Sequence, residues 1–167
     1  MEDAIRHHNW ATMRVLDACA DLTDEQLHRP FPAMYGSVQE TLRHVVDSDG
    51  WYLFRLADTE GDYDGPDDDA DLGALRVIAE ANGREWERQL AEGWDPDLPL
   101  TTPTIDGPVE HTFVGIWLAQ AMHHGTDHRS QICTALTTFG MEPPGIDVWE
   151  YGEAVGRLTL DPPDAEG

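Results

Sequence analysis

The chain has 167 residues and carries 33 acidic against 10 basic side chains, a net charge of −23. A field of that sign repels phosphate backbones and anionic lipid surfaces, so nucleic acid and membrane are excluded as expected partners. Every basic residue is arginine. The absence of lysine beside so much aspartate points to solubility at high salt, where self-repulsion is screened.

The length suits one domain with a core that needs no disulfides. Residues 1–160 are expected to form it, with 161–167 as a loose tail. Cys19 and Cys133 lie far apart in helical segments and are expected to be small core residues, or at most one an accessible thiol. The start Met1-Glu2-Asp3 lacks a basic or apolar leader pattern, and no apolar run reaches membrane-spanning length. A cytoplasmic protein is expected.

Helix one is predicted from Asp3 to about Ala20, with Ile5, Thr12, Leu16 and Cys19 or Ala20 on one face and Trp10 and Met13 flanking it. His7 and His8 in it read as surface or packing histidines. Thr23 caps a short turn that Pro30 and Pro32 end. Helix two opens at Ser37, where Ser37-Val38-Gln39-Glu40 is a capping box, and runs to about Ala57 on an aliphatic stripe of Val38, Leu42, Val45, Leu53 and Leu56. His44 falls off that stripe, with Thr41, Ser48, Trp51 and Arg55. That face reads either as a solvent-facing polar surface or, because Trp51 is costly to leave in water, as a covered polar and aromatic pocket wall.

Residues 58–71, rich in aspartate and glycine, read as a solvated loop, without the order of a calcium loop. Helix three follows from about Asp71 to Gly93, carrying Leu72, Leu75, Ile78 or Ala79, Trp86 and Leu90. Between Leu98 and His111 a change to Thr, Val, Ile and Pro around Asp106-Gly107 predicts a short β-hairpin. Helix four is predicted from about Phe113 to Phe139 with Gly140 as its C-terminal cap. Asp147 then caps a last short helix through about Arg157.

The chemistry concentrates in helix four. His124 and His128 are four residues apart, so both imidazoles share one face, with Phe113, Trp117, Gln120, Ala121, Gln131 and Ala135. His123 points to one side, Arg129 to another, and Cys133 lies roughly opposite. Two imidazoles on an inward face need partners, and a metal ion supplies one to both. A third ligand must come from elsewhere: chiefly His44, with His8 and His111 as rivals. Three histidines would leave coordination positions open to water or substrate, the pattern of a catalytic site. Gln120 and Gln131 are candidates to orient a ligand or substrate. The chain has no GxGxxG, Walker, GxSxG or HExxH motif.

Asn9-Trp10, Leu42-Arg43-His44-Val45-Val46, His124-Gly125-Thr126-Asp127-His128-Arg129-Ser130-Gln131 and Gly140-Met141-Glu142-Pro143-Pro144 together resemble the DinB/YfiT-like metalloenzyme family over nearly the whole chain. The family's usual H-x-x-x-H-R-G-Q reads here with Ser130 in place of its glycine. The resemblance implies an all-α four-helix bundle, often a homodimer, with His44, His124 and His128 binding a divalent ion, commonly zinc or nickel. It further implies activation of a low-molecular-weight thiol as cosubstrate, or of water, at that ion for attack on a small-molecule substrate, as in thiol S-transferases. No catalytic base is assigned. A metal-binding, stress-associated homodimer without turnover is the alternative.

Overall fold

The computed structural model describes residues 2–57, 61–102 and 109–159. Four long helices, α1 (Glu2–Cys19), α3 (Val38–Leu56), α4 (Leu72–Glu92) and α5 (Val114–Thr138), form the bundle. Of two short ones, α2 (Asp24–His28) packs against α3 and α6 (Val148–Ala154) against α1, and the strands β1 (Pro99–Thr102) and β2 (Glu110–Phe113) pair antiparallel between α4 and α5 in the chain. The fold is therefore the expected helical bundle with a small hairpin. The Asp106-Gly107 turn and the tail at 161–167 lie outside the described residues.

Helix boundaries follow local chemistry. Ser37 and Glu40 close a reciprocal capping box, the Ser37 hydroxyl accepting from the Glu40 amide (3.2 Å) and the Glu40 carboxylate from the Ser37 amide (2.7 Å). Thr23 and Gln26 repeat it at α2. At the end of α5 the Met141 amide donates to the Leu136 carbonyl and the Gly140 amide to that of Thr137. This is a Schellman closure, which requires the left-handed φ of 78° at Gly140. The last helix ends earlier than expected, at Ala154 rather than Arg157, because Gly156 turns left-handed (φ 69°) and the Arg157 amide folds back on the Gly152 carbonyl.

Helices α1 and α3 each pack against both α4 and α5. One end of the core gathers Val15, Leu16, Val38, Leu42, Leu75, Ile132 and Leu136; the other gathers Ile5, Leu53, Trp86, Val114, Trp117 and Leu118. Cys19 is fully buried and Cys133 half-buried; burial pushes the Cys19 thiol up to about 12 and raises that of Cys133. Both behave as core residues.

Two expectations need correction. Phe113, expected on the inward face of helix four, is 51% exposed. It is the last residue of β2 and the N-cap of α5, and its extended backbone (φ −126°, ψ 151°) takes it off the helical wheel that placed it on that face. The aspartate-rich loop, expected to be only solvated, is anchored by Tyr63, whose hydroxyl donates to the Asp47 carbonyl (3.0 Å) and whose ring meets Trp51 edge-on (5.8 Å). The cover over Trp51 is thus Tyr63 and Phe54, not a ligand pocket.

Candidate metal centre

Three imidazoles converge between α3 and α5. His44 comes from the second turn of α3, and His124 and His128 from successive turns of α5, so the i, i+4 pair spans a gap that α3 closes. One ring nitrogen from each of His44, His124 and His128 lies within 4.8 Å of the other two. The rings pack edge to face, with centroids 4.6 to 4.8 Å apart. Among the described residues no other group of His, Cys, Asp or Glu meets that standard.

Hydrogen bonding fixes how the rings are presented. Gln131 Oε1 can only accept, so His128 Nδ1–H donates to it (2.9 Å) and the lone pair is left on Nε2. The Nε2 atoms of His44 and His124 face each other at 2.9 Å. Two imidazole nitrogens so close share either a proton or a cation. Burial, with the neighbouring imidazoles adding, lowers the His44 pKa and holds that of His124 at about 4. Both are therefore neutral at pH 7, the protonation state in which imidazole ligates. His124 Nδ1 is buried with no partner among the described residues. Nitrogens bound to one zinc at about 2.0–2.1 Å lie roughly 3–3.5 Å apart, so small side-chain rotations suffice and the donor set fits a divalent ion.

The wall of the site is aromatic. Tyr35 stacks on His44, Tyr52 meets His124 edge-on at 5.9 Å, and Trp117 backs Tyr52 at 5.4 Å. Burial raises the Tyr52 pKa, opposed by a hydrogen bond from Gln120. Gln131 thus orients a candidate ligand, while Gln120 reaches Tyr52 rather than a histidine. The rivals for third ligand go elsewhere. His111 lies on β2, its Nδ1 paired with the Thr101 hydroxyl (3.2 Å). His8 is 1% exposed and committed to a separate buried network.

That network escapes helical-wheel reasoning. His8 Nε2–H donates to both oxygens of Asp49 (2.8 and 3.0 Å), and its Nδ1 accepts from Arg129 Nη1 (3.2 Å), which also donates to the Thr12 hydroxyl (3.0 Å). A neutral imidazole therefore links a guanidinium to a carboxylate in the middle of the bundle. Burial lowers the Arg129 pKa to about 10, which still leaves it a cation at neutral pH. The three groups come from α1, α3 and α5, so they cross-brace the helices that carry the histidine cluster. Arg129 follows His128 directly, and Asp49 lies five residues after His44. The signals in the sequence were a histidine and an arginine at positions that a purely aliphatic core would not use.

Comparison with curated proteins gives no match. A family model does match: the paired histidines with their Arg129 and Gln131, the second-turn His44 and the helical bundle that brings them together all lie within residues 1–159, which that model covers, and the chain belongs to the DinB family.

Proposed function

We propose that His44, His124 and His128 hold a divalent metal ion, zinc or nickel, and that the protein is a metal-dependent enzyme acting on a small electrophilic molecule. The observation that carries this reading is the meeting of three neutral imidazoles with Gln131 setting the tautomer of one of them. When bound, such an ion supplies Lewis acidity, keeping a low-molecular-weight thiol, or less favourably water, deprotonated at neutral pH. The chain's own contribution is to hold three donors on two rigid helices, leave the remaining positions open, and line one side with Tyr52 and Trp117 so that bulk water is limited. Held by His44, His124 and His128, the ion would supply a thiolate able to displace a leaving group from the electrophile, the leaving group departing with its electron pair and the thiol proton passing to solvent.

A non-catalytic metal-binding role is the second reading, favoured by one observation. Among the described residues no carboxylate joins the cluster, and Asp49, the buried acid of α3, is engaged by His8. Family resemblance supports a homodimer, and the charge argues against nucleic-acid and membrane partners. No helix among the described residues is long and apolar enough to cross a membrane.

The test is metal analysis of protein purified without a histidine tag, alongside His44→Ala, His124→Ala and His128→Ala. Stoichiometric metal in the native chain, lost in each variant, is the expected result; full metal in His44→Ala would remove the third ligand. Turnover of a model electrophile with a panel of thiols then separates enzyme from binder.

A further inference from the structure

Tyr35 belongs to no helix, yet its ring lies flat on His44, with centroids 4.0 Å apart and planes within 7°. The same ring meets His128 edge-on at 6.3 Å. It therefore covers one face of one histidine and the edge of a second, while remaining 53% exposed itself.

The turn that carries it is clamped. The Phe31 amide donates to the Gly36 carbonyl (2.9 Å) and the Met34 amide to the Phe31 carbonyl (3.3 Å), while the single proton of the Thr41 hydroxyl is shared between the carbonyls of Ser37 (2.8 Å) and Tyr35 itself (3.2 Å). Phe31 packs edge-on against Phe139, and Met34 joins the core. Ala33 has φ 64°, the sole positive φ of a non-glycine among the described residues. A residue held in that region persists only where its surroundings over-determine it, and such strain gathers where a geometry is used.

We infer that Tyr35 is a positioning residue of the three-histidine centre, fixing the plane of the His44 imidazole and gating access to it from solvent. This rests on the metal reading given above, but the stacking contact itself can be tested on protein stripped of metal. Stacking removes one imidazole face from water and limits ring rotation. A ligand or chelator approaching His44 from that side must displace the phenol.

Two readouts test this. In the metal-free protein, carbethoxylation of His44 by diethyl pyrocarbonate, followed by peptide mass spectrometry, should speed up in Tyr35→Ala and stay at the wild-type rate in Tyr35→Phe. In protein loaded with cobalt(II), transfer of the metal to a chromophoric chelator should accelerate in Tyr35→Ala by about tenfold, the scale on which supports of metal ligands act. A backbone pair avoids touching the ring: Ala33→Gly accepts the positive φ and should behave as wild type, whereas Ala33→Pro demands φ near −65° and should mimic Tyr35→Ala. Wild-type His44 reactivity in both Tyr35→Ala and Ala33→Pro would overturn the assignment. Wild-type protein that binds no cobalt would instead defeat the metal reading, while the carbethoxylation rates by themselves would still decide the role of Tyr35.

Discussion

Gly125 lies between His124 and His128 on α5, and replacing it by alanine probes the cross-brace without substituting any of its members. A Cβ at this position would fall onto His8 Cε1, 2.7 Å from Arg129 Nη1 and 3.0 Å from His8 Nδ1. None of these atoms is free to yield: His8 is 1% and Arg129 2% exposed, and both are tied to partners. Helix propensity favours alanine by about 1 kcal/mol. Against that stand about 1–3 kcal/mol of overpacking and about 1.5–3 kcal/mol for a buried charge-assisted hydrogen bond stretched or lost. The net expectation is a loss of roughly 1.5–5 kcal/mol, which for a chain of this size lowers Tm by about 3–20 °C. Thermal unfolding followed by far-ultraviolet circular dichroism reads it directly. In a His8→Ala background, where the principal clash is gone, the cost of Gly125→Ala should shrink, giving a coupling measurable by a double-mutant cycle. A Gly125→Ala protein melting at or above the wild type would show that the site is not packed against the brace.

Protonation should destabilise the metal-free protein in a defined window. An unfolded histidine titrates near 6.5, whereas His124 holds its neutral form down to about 4 and His44 is lowered in the same direction. Above pH 6.5 neither state takes the proton; between 6.5 and 4 the unfolded chain binds more, so stability falls with pH, and below 4 the loss is complete. Tm measured across pH 7.5 to 4.5 should therefore drop less steeply in His124→Gln than in wild type, and identical slopes would contradict the assignment. Gln131→Leu, which removes the acceptor of His128 Nδ1–H, should weaken metal binding about tenfold in a competition titration; unchanged affinity would make Gln131 a bystander. Because the chain carries −23, Tm should rise between dilute buffer and molar potassium chloride as repulsion is screened, and a flat response would argue against adaptation to high salt.

Features set by a few neighbouring residues are readable from the sequence. The Ser37–Glu40 capping box, the Gly140 closure and the shared face of His124 and His128 depend on spacing alone, and each stands where spacing puts it. His44 is harder, since its own helix places it off the aliphatic stripe. Trp51, the residue that suggests a covered face there, is covered by Tyr63. The family resemblance groups His44 with His124 and His128, which the structure also brings together, but for a reason that periodicity does not contain. His8, Asp49 and Arg129 cannot be linked from the sequence because each sits on a different helix, and a buried ion network has no periodic signature. Tyr35 is invisible for a related reason: it lies in an irregular turn, and only the tertiary fold lays it on His44.

His44 and His124 stand 80 positions apart in the chain, yet their nitrogens face each other at 2.9 Å. A single ion shared by them would act as a reversible staple on a free-cysteine protein. By the loop-closure estimate used for disulfides, restraining a loop of that length in the unfolded chain corresponds to about 4–5 kcal/mol. That is a large fraction of the stability of an ordinary domain. Metal supply would then set how long the protein survives as well as whether it works, and a chelator would act on it as a reductant acts on a secreted protein.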